Sequence, residues 1–149
     1  MSDRPLRLLA HDSDDLAVVT GRLQGADVLA RDMAYLPKAR RFAFVAARFN
    51  WLAAERGEIE RVATGAHFDG VLSAATQGFD PRESDALLNL ISIEFTPGEA
   101  PAGEVALIFS GGAEVRLRVE CLDAHVRDLD LPDLDARADE TPPTGRADD

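Results

Sequence analysis

Residues 114 to 121 alternate without a break. Val115, Leu117, Val119 and Cys121 are apolar, and Glu114, Arg116, Arg118 and Glu120 between them are charged. A period of two sends the two sets to opposite faces of a strand, so this stretch predicts a half-buried strand. Strands with one face in the core and one in water belong to antiparallel sheets. The preceding Gly111-Gly112 separates it from residues 104 to 110, a two-glycine hairpin signal. Cys121 falls on the apolar side of the pattern and reads as a small buried hydrophobe.

The same period recurs upstream. Residues 28 to 36 and 41 to 49 read as strands joined by a turn that begins at Pro37. Residues 60 to 68 and 71 to 79 read as a pair around Asp69-Gly70, a tight-turn dipeptide. Residues 87 to 95 are apolar enough at their start to be buried on both faces, and residues 6 to 10 suit an edge strand. Residues 122 to 129 fit either a helix face or a strand continued past a bulge, and the strand is preferred. One segment has a helical period instead. Leu16, Val19 and Leu23 repeat at i, i+3, i+7, Asp12 or Ser13 can cap the start, and Gly25 suits a left-handed end, giving a helix over 13 to 24. A sheet of about seven short strands needs its apolar face covered, by closing on itself or by that helix. The fold class expected is α+β: a curved antiparallel sheet or barrel of about seven strands with one N-terminal helix packed on it.

A chain of 149 residues with 46% hydrophobic content can bury a core without staples. The single cysteine excludes an internal disulfide and a cysteine-based zinc site. The first fifteen residues have an apolar run of only Leu8 to Ala10, where a secretory leader needs about 7–15 residues. No stretch approaches the roughly 20 apolar residues of a membrane span. The expected setting is cytoplasmic, without a membrane. From Asp130 to Asp149, seven acids against two arginines leave −6 of the net −11 on residues 1 to 129. That body is expected to be one globular domain, and 130 to 149 a disordered acidic tail with two adjacent prolines. The negative field disfavours nucleic acid, whose binding depends on Lys and Arg displacing counterions.

Against that charge, residues 33 to 54 contain no acid. Lys38, Arg40, Arg41 and Arg48 lie there, with Tyr35, Phe42, Phe44, Phe49 and Trp51. Arginine offers a donor fork to carboxylate or phosphate, and tryptophan a ring face. Arg40, Arg41, Arg48 and Trp51 are therefore the candidate partner- or anion-binding residues. The plainer account has the phenylalanines in the core and the arginines paired with acids of neighbouring strands. Strict alternation would leave Arg48 on the apolar face, unless a bulge near Ala46-Ala47 re-aims it.

Other constellations are weaker. His67 with Asp69 or Glu120 could form a base and its orienter, but no nucleophile is set by spacing. In HDSDD, residues 11 to 15, the acids already suit a helix start, so a metal is not expected there. The three histidines are far apart in sequence, and no phosphate-binding glycine loop or nucleophile elbow occurs.

Three runs, LPKARRFAFVAARFNW, TGAHFDGVLS and PAGEVALIFSGGAEVRLRVECLDAHVRDL, resemble a family of small alphaproteobacterial proteins of unknown function. The family segments LPK-x-RRF, NRF-x-W, TG-x-HF, F-x-GG and VE-C recur here over residues 5 to 130 in order. Ala47 stands where the family has Asn before Arg-Phe. The resemblance implies a bacterial cytoplasmic protein and no particular activity. The expectation is a non-enzymatic binding or protein-interaction module without cofactor, metal or catalytic residues. Its partner would be a protein, a second copy in a homodimer, or a small anionic ligand. The alternatives are a small enzyme built on His67 and a neighbouring carboxylate, and nucleic-acid binding through the basic-aromatic hairpin.

Overall fold

The computed structural model describes residues 6–49, 55, 57, 61–80, 82 and 85–129. The first half contributes β1 (Arg7–Ala10), α1 (Ser13–Leu23), β2 (Asp27–Leu29), β3 (Met33–Leu36) and β4 (Arg41–Phe49). The second half contributes β5 (Arg61–Asp69), β6 (Val71–Gln77), β7 (Leu87–Pro97), β8 (Gly103–Phe109), β9 (Glu114–Val119) and β10 (Ala124–Asp128). The class is α+β, an antiparallel sheet with one helix, but the strands number ten rather than seven. Their order is β1-β10-β5-β4-β2-β7-β8-β9-β6, with β3 beside β4. The ladder is open, because β1 and β6 end it without pairing, so this is a sheet and not a closed barrel.

The sheet departs from the sequence reading at three places, and the first of them adds a strand. The stretch 28 to 36 is broken by a 3-10 turn at Ala30–Asp32, and its halves β2 and β3 both lie along β4. The expected hairpin at Asp69-Gly70 is instead a corner: β5 pairs β4 and β10, while β6 pairs β9. Gly70 takes φ 72°, a conformation costly for any residue with a Cβ, and the strand passes from one half of the sheet to the other. The stretch 120 to 123 turns the same corner alongside, tied by Glu120 N–H to Gly70 O and Asp69 N–H to Asp123 O. Beyond it, residues 124 to 128 are the preferred strand, β10.

That corner also moves Cys121. The alternation of β9 holds through Val119, but the strand stops there, Cys121 is exposed, and Leu122 takes the buried position. Residues 87 to 95 are not buried on both faces either. Leu88 and Leu90 face the core, whereas Leu87 is 62% exposed and Ile91 lies outward with it, and the register shift against β8 then turns Ile93 inward.

Helix α1 begins as expected. The Asp12 carboxylate accepts from the Asp15 N–H, Asp14 and Asp15 complement the positive end, and Gly25 turns the exit at φ 85°. Leu16, Val19 and Leu23 are buried, and Thr20 Oγ1 donates to Ile93 O of β7. The helix thus packs on the inner face of the sheet. Its apolar residues belong to one core cluster with Phe42, Phe44, Ala66, Phe68, Leu90, Val105, Leu107, Phe109, Val115, Leu117, Ala124 and Val126. Among the described residues no helix is long and apolar enough to cross a membrane.

Candidate functional site

β4 and β5 pair in unbroken register from Arg41↔Asp69 to Phe49↔Arg61. No bulge interrupts β4, so alternation decides where each side chain points. Phe42, Phe44, Ala46 and Arg48 face inward, and Arg41 and Ala43 face outward. Arg48 is only 7% exposed. Its Nε and Nη2 donate to the two Asp128 oxygens at 2.9 and 2.6 Å. Asp128 also accepts from the Leu6 N–H at 2.8 Å and the Thr64 hydroxyl at 2.9 Å. Burial pushes this carboxyl up, but the Arg48, Leu6 and Thr64 hydrogen bonds and the Arg48 charge outweigh it and hold the group below its ordinary value. An anion approaching Arg48 would have to displace Asp128.

Arg40 and Arg41 sit at the other end of β4, seven or eight residues away, which is about 23 Å or more along a strand. They open the corner rather than the core. Arg40 takes φ 51° at the end of the Pro37 turn, and its Nη1 donates to Glu120 at 2.7 Å. Arg41 Nε donates to Asp69 Oδ1 at 2.7 Å, directly across the strand pair. Lys38 is exposed and makes no ion pair with a described residue. Trp51 lies outside the described residues, as does the segment from 130 onward. The structure therefore brings Arg40 and Arg41 together and keeps Arg48 apart.

The register also assembles what sequence distance concealed. His67 and His125 are direct partners on β5 and β10, and Asp69 and Asp123 follow at the same corner. The sequences His67-Phe68-Asp69 and Asp123-Ala124-His125 run antiparallel, so imidazole faces imidazole and carboxylate faces carboxylate on the outer face. The two rings stack at 4.6 Å with 12° between their planes. His125 Nε2 lies 2.9 Å from Asp123 Oδ1 and 3.6 Å from Asp69 Oδ2. His11, at the entrance to α1, brings its Nε2 to 3.2 Å from the same Asp123 oxygen. All three histidines of the chain thus meet at one corner. The usable signal was the mirrored H-x-D and D-x-H, which acquires meaning only once β5 and β10 are known to be neighbours.

His67 Nδ1 is buried and makes no hydrogen bond, with Asp69 Oδ1 at 3.5 Å. Burial pushes the His67 pKa down, the positive charges of Arg41 and His125 add to that, and Asp69 opposes it only in part. Burial raises Asp69, but the Arg41 hydrogen bond and the surrounding positive groups hold its carboxyl below the usual range. Glu120, the other carboxylate considered for His67, is engaged by Arg40. His67, Asp69 and His125 each present a donor atom within 4.8 Å of the others, an arrangement able to hold a cation.

A model of the family described as "Protein of unknown function (DUF2948)" matches residues 6–143. The chain belongs to this family. Searches of curated proteins and of solved structures found no match. Membership in DUF2948 carries no activity with it, so the chemistry of the corner has to be argued from the side chains themselves.

Proposed function

We propose that the domain is a non-enzymatic binding module whose recognition surface is the outer corner of β3, β4, β5 and β6. The observation behind this reading is the exposure of Arg40 and Arg41, whose side chains keep 60% and 44% of their area open although each holds a carboxylate. An exposed ion pair contributes about 1 kcal/mol or less. An anionic group of a partner can therefore take over either arginine at little cost. Leu36, directly beside Arg41, and Leu72, next to the register shift in β6, add exposed apolar area. Among the described strands β3 and β6 each keep one unpaired edge, which suits pairing with an extended segment of a protein or of a second copy. Arg48 is engaged by Asp128 and Trp51 is not described, so the reading rests on Arg40 and Arg41.

The test uses a tagged full-length chain carrying Lys38→Glu with Arg40→Glu, checked for unchanged circular dichroism. Loss of the partner that the wild type retains in a low-salt pulldown is the expected result. Equal retention by the folded variant overturns the reading.

An enzyme built on His67 and Asp69 is the second reading, favoured by their proximity at 3.5 Å. It needs a substrate pocket beside them. The cleft between α1 and β7 is lined by Ser13, Leu16, Ala17, Thr20, Ile93 and Phe95, and by none of the cluster. Nucleic-acid binding is weaker still, because the net charge is −11 and the corner arginines face acids.

A further inference from the structure

We propose that His67, Asp69 and His125 form a binding site for a divalent first-row transition ion. The site would clip β5 to β10 at the corner.

Strand register sets the three side chains side by side. Cross-strand partners have Cβ atoms about 5 Å apart, and residues two apart on a strand share a face. A histidine pair with an aspartate at i+2 therefore aims three donors at one point. Their donor atoms lie within 4.8 Å of one another. A tetrahedral ion with bonds of about 2.1 Å needs its ligands roughly 3.4 Å apart, so side-chain rotation closes the gap without moving a strand. Two imidazoles and one carboxylate suit first-row transition ions, whereas magnesium and calcium favour all-oxygen sets.

Two features make this more than a chance cluster. First, His67 Nδ1 is buried and meets no hydrogen-bond partner at ordinary length, with only the Asp69 carboxylate nearby at 3.5 Å. Second, the neighbours are arranged as supports. Asp123 lies 2.9 Å from His125 Nε2, which leaves Nδ1 as the lone-pair nitrogen of that ring when Nε2–H donates, and Arg41 Nε donates to Asp69 Oδ1 at 2.7 Å. Outer partners of this kind orient metal ligands and fix the imidazole tautomer. The rings remain reachable, with His67 30% and His125 35% exposed, and three protein donors leave coordination positions open to water or a ligand. The three ligands lie outside the arginine surface, although Arg41 borders both, and the variants that test one proposal leave the residues of the other in place.

The experiment is calorimetric titration of the full chain with Zn2+ alone, with Co2+ absorption as the spectroscopic readout and Mg2+ as the control. The expected result is one Zn2+ per chain, a Co2+ spectrum of nitrogen and oxygen ligation, and no response to Mg2+. Asp123→Asn should weaken Zn2+ binding about tenfold through loss of His125 orientation. The His67→Gln/His125→Gln variant should abolish it. Absence of Zn2+ binding by the folded wild type overturns the proposal, as does undiminished binding by the folded double variant. Should that variant fail to fold, the wild-type ring-proton resonances decide. Both rings shifting with one equivalent of Zn2+ supports the site, and unmoved rings overturn it.

Discussion

Arg48 shares its strand face with Phe42, Phe44 and Ala46, and a guanidinium cannot shed its charge in a protein. Its presence there is tolerable only because Asp128 meets it with two hydrogen bonds and Thr64 and Leu6 complete the carboxylate. Breaking a buried pair leaves the other charge uncompensated, at a cost of roughly 3–5 kcal/mol. We expect Asp128→Asn to lose about 3 kcal/mol of stability to urea at neutral pH, toward the low end because the amide keeps an acceptor. The sign with pH follows from the depressed Asp128 carboxyl. An unfolded aspartate titrates near about 3.9. Below that, the unfolded chain takes up a proton that the folded chain refuses. Stability due to Asp128 is thus complete above about pH 5 and drains away as pH falls through the folded value. Urea melts of wild type and variant between pH 3 and 7 should converge at the acid end, on the scale of about 1 kcal/mol per unit. A constant gap would show that the carboxylate charge is irrelevant. The sequence placed Arg48 on the apolar face by alternation, but its acid lies eighty residues away and no local rule points to it.

At the scale of the element, caps and turn signals hold, and so do the hairpins β3–β4 and β8–β9, whereas β5 and β6 do not pair. The α1 boundaries follow from a cap, an apolar stripe and a glycine, all within one stretch of chain. Asp69-Gly70 looks the same locally whether the next strand folds back or runs on, because positive φ at glycine serves a hairpin and a corner equally. What separates the two is which strands flank β5 and β6, a property of the whole sheet. Gly103 shows the same dependence. It begins β8 opposite Pro97, and a Cβ there would stand 2.6 Å from the Phe95 ring and 2.7 Å from Thr96 O. The backbone carbonyl cannot swing aside. We expect Gly103→Ala to lower the urea midpoint by the equivalent of about 1–3 kcal/mol, the range for overpacking. Phe95→Leu in the same chain should recover only the part of that loss due to the ring.

Across the whole molecule, the paired corners make two halves of the sheet share strands. β5 continues into β6, and 120 to 123 carry β9 into β10, so neither half can open without straining the other. Native-state hydrogen exchange should give the amides of Leu117 in β9 and Val126 in β10 the same opening free energy, equal to that of global unfolding. Distinct values would mean two independent units. The histidine cluster belongs to this scale too. Its members are distributed over β5, β10 and the entrance to α1, and the mirrored H-x-D and D-x-H point to their meeting only once sheet order is known. Sheet order has one more outcome, in time. β1 leaves a ribosome more than a hundred residues before its partner β10, and Asp128 follows Arg48 by eighty. Throughout synthesis, then, a charged arginine waits on the inner face of β4 for an acid not yet made. The core around it can settle only once residue 128 has emerged.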